Sequence, residues 1–119
     1  MNWYLAKIIY SITCGNGHHT AQFDEQLRLI TAENKSQAFQ KAVKTGIAEE
    51  DIFLNNKQQL VRWRFINVTE LYKLDKLIDG AELYSRIEEK EDPEKYLQYL
   101  NKKSEQLQFS NTAEMLQLA

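Results

Sequence analysis

The segment from Trp3 to Cys14 constrains this chain more than any other. Nearly every position there is apolar, and β-branched and aromatic side chains dominate. Such residues suit the pleated surface of a strand and crowd the turns of a helix. Tyr4, Ala6, Ile8, Tyr10 and Ile12 form one alternating set, and Trp3, Leu5, Lys7, Ile9 and Ser11 form the other. Gly15-Asn16-Gly17 follows, and Asn-Gly is the preferred dipeptide of a type I′ turn because both central residues need positive φ. From Thr20 to Thr31 alternation returns, with Ala21, Phe23, Leu27 and Leu29 set against Gln22, Asp24, Gln26 and Arg28. The expectation is a β-hairpin.

With Asn16-Gly17 as a two-residue loop, Ile12 opposes Ala21, Tyr10 opposes Phe23, Ala6 opposes Leu27 and Tyr4 opposes Leu29, all on one face. The other face then pairs Lys7 with Gln26, Leu5 with Arg28 and Ile9 with Asp24. A slip of one residue would mix apolar and polar side chains on both faces, whereas a shift of two would preserve them. In this register Glu25 lies opposite Ile8 on the apolar face, unless a bulge near Asp24 turns it outward.

Asn34 starts a helix, with Gln37 three residues on as in a capping box. Ala38, Phe39, Ala42 and Val43 form its apolar stripe, and Gly46 reads as a C-terminal stop. Residues 51–58 read as a polar connection. A third strand starts at Leu60, with Val61, Trp63 and Phe65 on one face and Leu60, Arg62, Arg64, Ile66 and Val68 on the other, and runs to about Tyr72. Asp79-Gly80 marks a turn before a fourth strand spanning 81–88. Asp92-Pro93-Glu94 combines a cap, a first-turn proline and an acid at the positive end of a second helix, whose stripe is Tyr96, Leu97, Leu100 and Leu107. The predicted class is α+β: a two-layer sandwich with a four-stranded antiparallel sheet, helices on one face, and order β-β-α-β-β-α. One domain spans 1–119, with 110–119 either frayed or a short extra helix starting at Asn111.

Composition narrows the function. The 119 residues carry 15 Lys+Arg against 17 Asp+Glu, a net charge of -2, with 43% hydrophobic residues. These values exclude a disordered chain and argue against a nucleic-acid binder, which shows a basic excess. No apolar run approaches the ~20 residues of a membrane span. The amino terminus has no basic start and carries Lys7 within its apolar stretch, unlike a secretory signal. Cys14 is alone. A cytoplasmic protein without membrane attachment is expected.

Several strings are similar to a known family. Trp3-Tyr4-Leu5-Ala6-Lys7-Ile8, Cys14-Gly15 and Gln22-Phe23-Asp24-Glu25-Gln26-Leu27-Arg28-Leu29-Ile30 resemble the start of a small bacterial family, domain-of-unknown-function family four-two-eight-eight. Ala38-Phe39 with Ala42, Val61-x-Trp63-x-Phe65-Ile66 and Asp79-Gly80-Ala81-Glu82-Leu83-Tyr84 extend the resemblance to about residue 90. It implies a small domain of this type and brings no catalytic role.

Among candidate sites, Cys14, His18 and His19 flank the turn, but their spacing matches no standard zinc pattern and adjacent histidines on a strand face opposite ways. No metal or cofactor is expected. Glu25, buried on the apolar face, needs a partner or becomes a proton acceptor by desolvation. The face away from the helices gathers Lys7, Asp24, Arg28, Arg62 and Arg64 with Trp3, Leu5 and Ile9. A half-apolar sheet bearing paired charges suits a subunit interface or a ligand groove. The expected protein is a non-enzymatic homo-oligomeric domain, self-associating through that face. The alternative is a small enzyme or a binder of anionic ligands, using Glu25 or Asp24 with Arg28, Arg62 and Arg64. It lacks a glycine-rich phosphate loop, nucleophile elbow or metal triad.

Overall fold

The structure is a computed structural model that describes the backbone of residues 1–118 and the side chains of residues 1–109. Its elements are β1 (Asn2–Cys14), β2 (Gln22–Ala32), α1 (Lys35–Ala48), β3 (Asp51–Leu54), β4 (Leu60–Leu74) and α2 (Pro93–Leu118). The strands form one antiparallel sheet of order β2-β1-β4-β3. The α+β class and the order β-β-α-β-β-α hold, with one strand exchanged. Residues 81–88 form no strand. The missing strand is β3, within the stretch expected to be a connection. Ile52-Phe53-Leu54 supplies it, and Asn55 closes the hairpin to β4 by accepting the Lys57 and Gln59 amide hydrogens on its side chain, while Gln58 takes a φ of 62°. An asparagine that folds its side chain onto the backbone two residues on is a turn former in its own right.

The chain divides into two compact units, Met1–Ser85 and Arg86–Ala119. In the second, Asp92 caps α2 by accepting the Lys95 amide hydrogen at 3.1 Å. The helix runs through Asn111 to Leu118. The side chains expected to cap and face that extra turn lie outside those described. Leu97, Leu100 and Leu107 of the expected stripe remain exposed.

In the first unit, α1 covers one face of the sheet. Asn34 caps it as expected, accepting the Gln37 amide hydrogen at 2.8 Å. Its buried line is Ala38, Ala42 and Gly46, whereas Phe39 stays 41% exposed. Small residues at i, i+4 and i+8 let the helix backbone approach the strands closely. Tyr4, Ala6, Ile8 and Tyr10 of β1, Ile30 and Ala32 of β2 and Val68 of β4 complete the core.

Gly46 is therefore no stop signal: the helix continues to Ala48. A methyl group on Gly46 would come within 2.5 Å of the Phe65 ring and 3.2 Å of Ile8. The Gly46 carbonyl accepts the buried Tyr10 hydroxyl at 2.7 Å, which removes the cost of about 1–3 kcal/mol for an unsatisfied buried group. Alanine gains about 1 kcal/mol over glycine in helix propensity, but overpacking a full core costs about 1–3 kcal/mol. The clash wins because Phe65 packs edge-on against Tyr10 and has little room to yield. Gly46→Ala is expected to lower the urea midpoint without changing the slope. An equal or higher midpoint would show that α1 has freedom to lift from the sheet.

Candidate functional site

The pairing of β1 with β2 decides which residues share a surface. Observed partners are Tyr4 with Ile30, Ala6 with Arg28, Ile8 with Gln26, Tyr10 with Asp24 and Ile12 with Gln22. This is a slip of one residue from the expected register, and it turns every β2 side chain to the other face. The turn is built to fit that register. The Gly17 amide hydrogen bonds the Cys14 carbonyl at 3.1 Å, and Gly15, not Asn16, takes positive φ. Gly15-Asn16 is thus the central pair, and His18 to Ala21 lengthen the loop.

His19 holds that loop in place. Its Nε2 accepts the Cys14 amide hydrogen at 3.0 Å, leaving Nδ1 to donate to the Thr20 carbonyl at 2.8 Å. The end of β1 pairs with β4, Cys14 lying opposite Val61. Among the described residues, no three His, Cys, Asp or Glu side chains gather as metal ligands.

Asp24 and Arg28 therefore lie on the α1 side of the sheet, not with Lys7. There they form a ladder along the edge. Trp63 Nε1 donates to Asp24 at 3.0 Å, Gln26 donates to Asp24 at 2.6 Å, and Arg28 donates to Gln26 at 2.7 and 3.0 Å. Arg28 ends the ladder in an ion pair with Glu49, just past the last turn of α1. Burial, then the Glu49 charge, raises the pKa of the adjacent Tyr10 hydroxyl. The ladder occupies the groups that the enzyme reading required of Asp24 and Arg28.

Glu25 moves the opposite way. It faces Ile9 on the side away from α1, with its side chain 67% exposed and 3.9 Å from Lys7. No desolvated carboxylate exists there, and the bulge considered near Asp24 is absent from β2. The sheet's irregularities are on β4, between the partners of Lys7 and Ile8 and between those of Ile9 and Tyr10. The first leaves Thr69 and the second Ile66 as the extra residue. Between them they carry Val68 to the buried face, against expectation, and restore the alternation beyond.

Arg62 and Arg64 do share the far face with Lys7, opposite Thr13 and Ser11. So do Trp3, Leu5 and Ile9, which alternate with the buried set. That face is not uniformly open. Leu5 and Leu74 are buried, and Tyr84 packs edge-on against Tyr72 with ring centroids 5.7 Å apart. Part of the segment expected as a fourth strand thus shields one end of the face, leaving an open groove of about 570 Å³ beside Tyr72, Leu74 and Leu83.

Under Tyr84 lies a charged cluster that sequence reasoning missed. Lys7 Nζ is 2.6 Å from Glu70, which also accepts the Tyr72 hydroxyl at 2.5 Å, and the ammonium sits 6.0 Å from the Tyr84 ring centre. The hydrogen bond to Glu70 raises the Lys7 pKa, reinforced by the Glu70 and Glu25 charges against partial burial. Donation to Glu70, then burial, raises that of Tyr72. The signal was the even spacing of Glu70 and Tyr72 with Arg62 and Arg64, which holds because the two bulges cancel.

At the other edge, Phe23, Leu27 and Leu29 of β2 are 61%, 50% and 50% exposed, and Trp3 is 41% exposed on the same face. The one-residue slip placed them there.

Lys7 and Tyr72 both hold their protons more tightly folded than unfolded. Their contribution to stability is complete below the unfolded values near 10 and is lost as pH rises through the raised folded values. Urea unfolding at about pH 8 and about pH 11 should show a smaller alkaline loss for Glu70→Gln than for the parent chain. Equal losses would remove the cluster from the alkaline dependence.

Among the described residues, no helix is long and apolar enough to cross a membrane. In comparisons with known proteins, a family model described as Domain of unknown function (DUF4288) matches residues 3–85. Neither the curated proteins nor the solved structures give a match.

Proposed function

The chain belongs to the DUF4288 family, whose description names no activity, and we propose from its geometry that it is a non-enzymatic cytoplasmic binding domain that pairs with a second copy through β2. The observation that carries this reading is the edge strand itself. β2 ends the sheet, runs for 11 residues and presents Phe23, Leu27 and Leu29 outward. Long apolar edge strands are templates for further pairing, and soluble proteins cover or blunt them.

The strand is complementary to itself. Antiparallel pairing about a two-fold axis at Gln26 sets Phe23 against Leu29 on one face and Asp24 against Arg28 on the other. Phe23 then meets Leu29 and acid meets base, Glu25 lies beside Leu27, and no like charges coincide. The same two faces also explain why an acid–base role is disfavoured: Glu25 is solvated and Asp24 is engaged by Trp63 and Gln26.

Light scattering on a sizing column should give about twice the 14.0 kDa chain mass at micromolar concentration, a common range for specific dimers. Leu27→Lys with Leu29→Lys should return the mass to that of one chain with an unchanged circular dichroism spectrum. A parent chain that elutes as a monomer, or a double variant that still dimerises, would overturn the assignment.

A further inference from the structure

Two cations on the far face of β4 differ from Lys7 on β1 and Arg28 on β2. Lys7 and Arg28 each rest on a carboxylate, whereas among the described residues neither Arg62 nor Arg64 makes an ion pair. Arg62 lies opposite Thr13 and Arg64 opposite Ser11, so the two arginines and the two hydroxyl residues take neighbouring register positions on one face. Arg62, Arg64 and Thr13 line a cavity of about 530 Å³, closed at one end by the Gly15-Asn16 turn and on one side by Ile52. Ile52 is the register partner of Arg62 on β3.

We propose that this cavity binds a small phosphate monoester. Residues two apart on a strand stand about 6.6 Å apart on one face, a separation that two planar guanidinium forks can bridge onto the oxygens of a single tetrahedral anion. A bound anion between them further relieves the repulsion of the two like charges. Thr13 adds a donor, and the exposed Ile52 side chain offers an apolar wall for the organic part of the ester. Glu50 also lines the cavity, its carboxylate fixed by accepting the Phe65 amide hydrogen at 2.9 Å. It opposes the anion and leaves one positive charge in excess, so preference for phosphate over chloride rests on the several acceptor oxygens that two forks can engage, not on net charge. The β2 surface plays no part in this site.

The test is a titration of the isotopically labelled full chain by amide NMR, with inorganic phosphate and phosphoserine as probes and sodium chloride at matched ionic strength as control. Saturable shifts at Thr13, Arg62 and Arg64 are expected with both phosphates and not with chloride. Arg62→Gln and Arg64→Gln should each weaken binding about tenfold, and Glu50→Gln, which keeps an acceptor for the Phe65 amide, should tighten it. The Leu27→Lys, Leu29→Lys variant should bind as the parent does, which separates this site from self-association. Shifts that fail to saturate, that chloride reproduces, or that persist unchanged in both arginine variants would overturn the proposal, as would a Glu50→Gln chain that binds no more tightly.

Discussion

The backbone of α1 rests directly on Ile8 and Phe65 at Gly46, and the arrangement of the sheet depends on keeping that approach close. Only hydrogen fits between the helix and the Phe65 ring, so Ala38, Ala42 and Gly46 form a seam along which the helix lies against β1 and β4. The Tyr10 hydroxyl spans the seam to the Gly46 carbonyl and ties the strand carrying the core to the helix covering it. A bulkier seam would lift α1 and open the layer that holds Tyr4, Ile8 and Tyr10.

The seam leaves the register of β2 open. β1 is apolar on both faces, so it tolerates either parity of its neighbour and cannot by itself reject a slip. The choice falls to polar groups at the edge. Trp63 and Glu49 satisfy Asp24 and Arg28 on the α1 side, while Ile30 and Ala32 at the other end of β2 fill the core. The cost is transferred to the opposite face, where Phe23, Leu27 and Leu29 meet solvent. The interface proposed for β2 is the counterpart of a register chosen by side chains beneath the helix.

The two ends of the far face have different characters for a related reason. Near Lys7, the chain after β4 folds Tyr84 over Tyr72, and the shielding makes the Lys7–Glu70–Tyr72 cluster compact and internally neutralised. Near Thr13, the hairpin turn and β3 wall a space that Arg62 and Arg64 leave positively charged. A single face thus carries a closed ionic cluster, an open cationic cavity and an apolar edge.

The alternation of residues 3–14 was enough to specify a strand, the Asn34 and Asp92 caps located both helix starts, and the odd–even split of Val61 to Phe65 placed Arg62 and Arg64 on the face of Lys7, because these signals are local in backbone geometry. The third strand escaped notice because Ile52-Phe53-Leu54 is too short to show a period, and 81–88 imitated a strand by alternating without gaining a neighbour. Gly46 looked like a helix stop because a sequence does not reveal that the same lack of a side chain serves close packing. The β2 parity, and with it the places of Glu25, Asp24 and Arg28, was settled only in three dimensions. A strand apolar on both sides accepts either pairing, and the energy that separates them comes from Trp63, Glu49 and the helix layer, all distant along the chain.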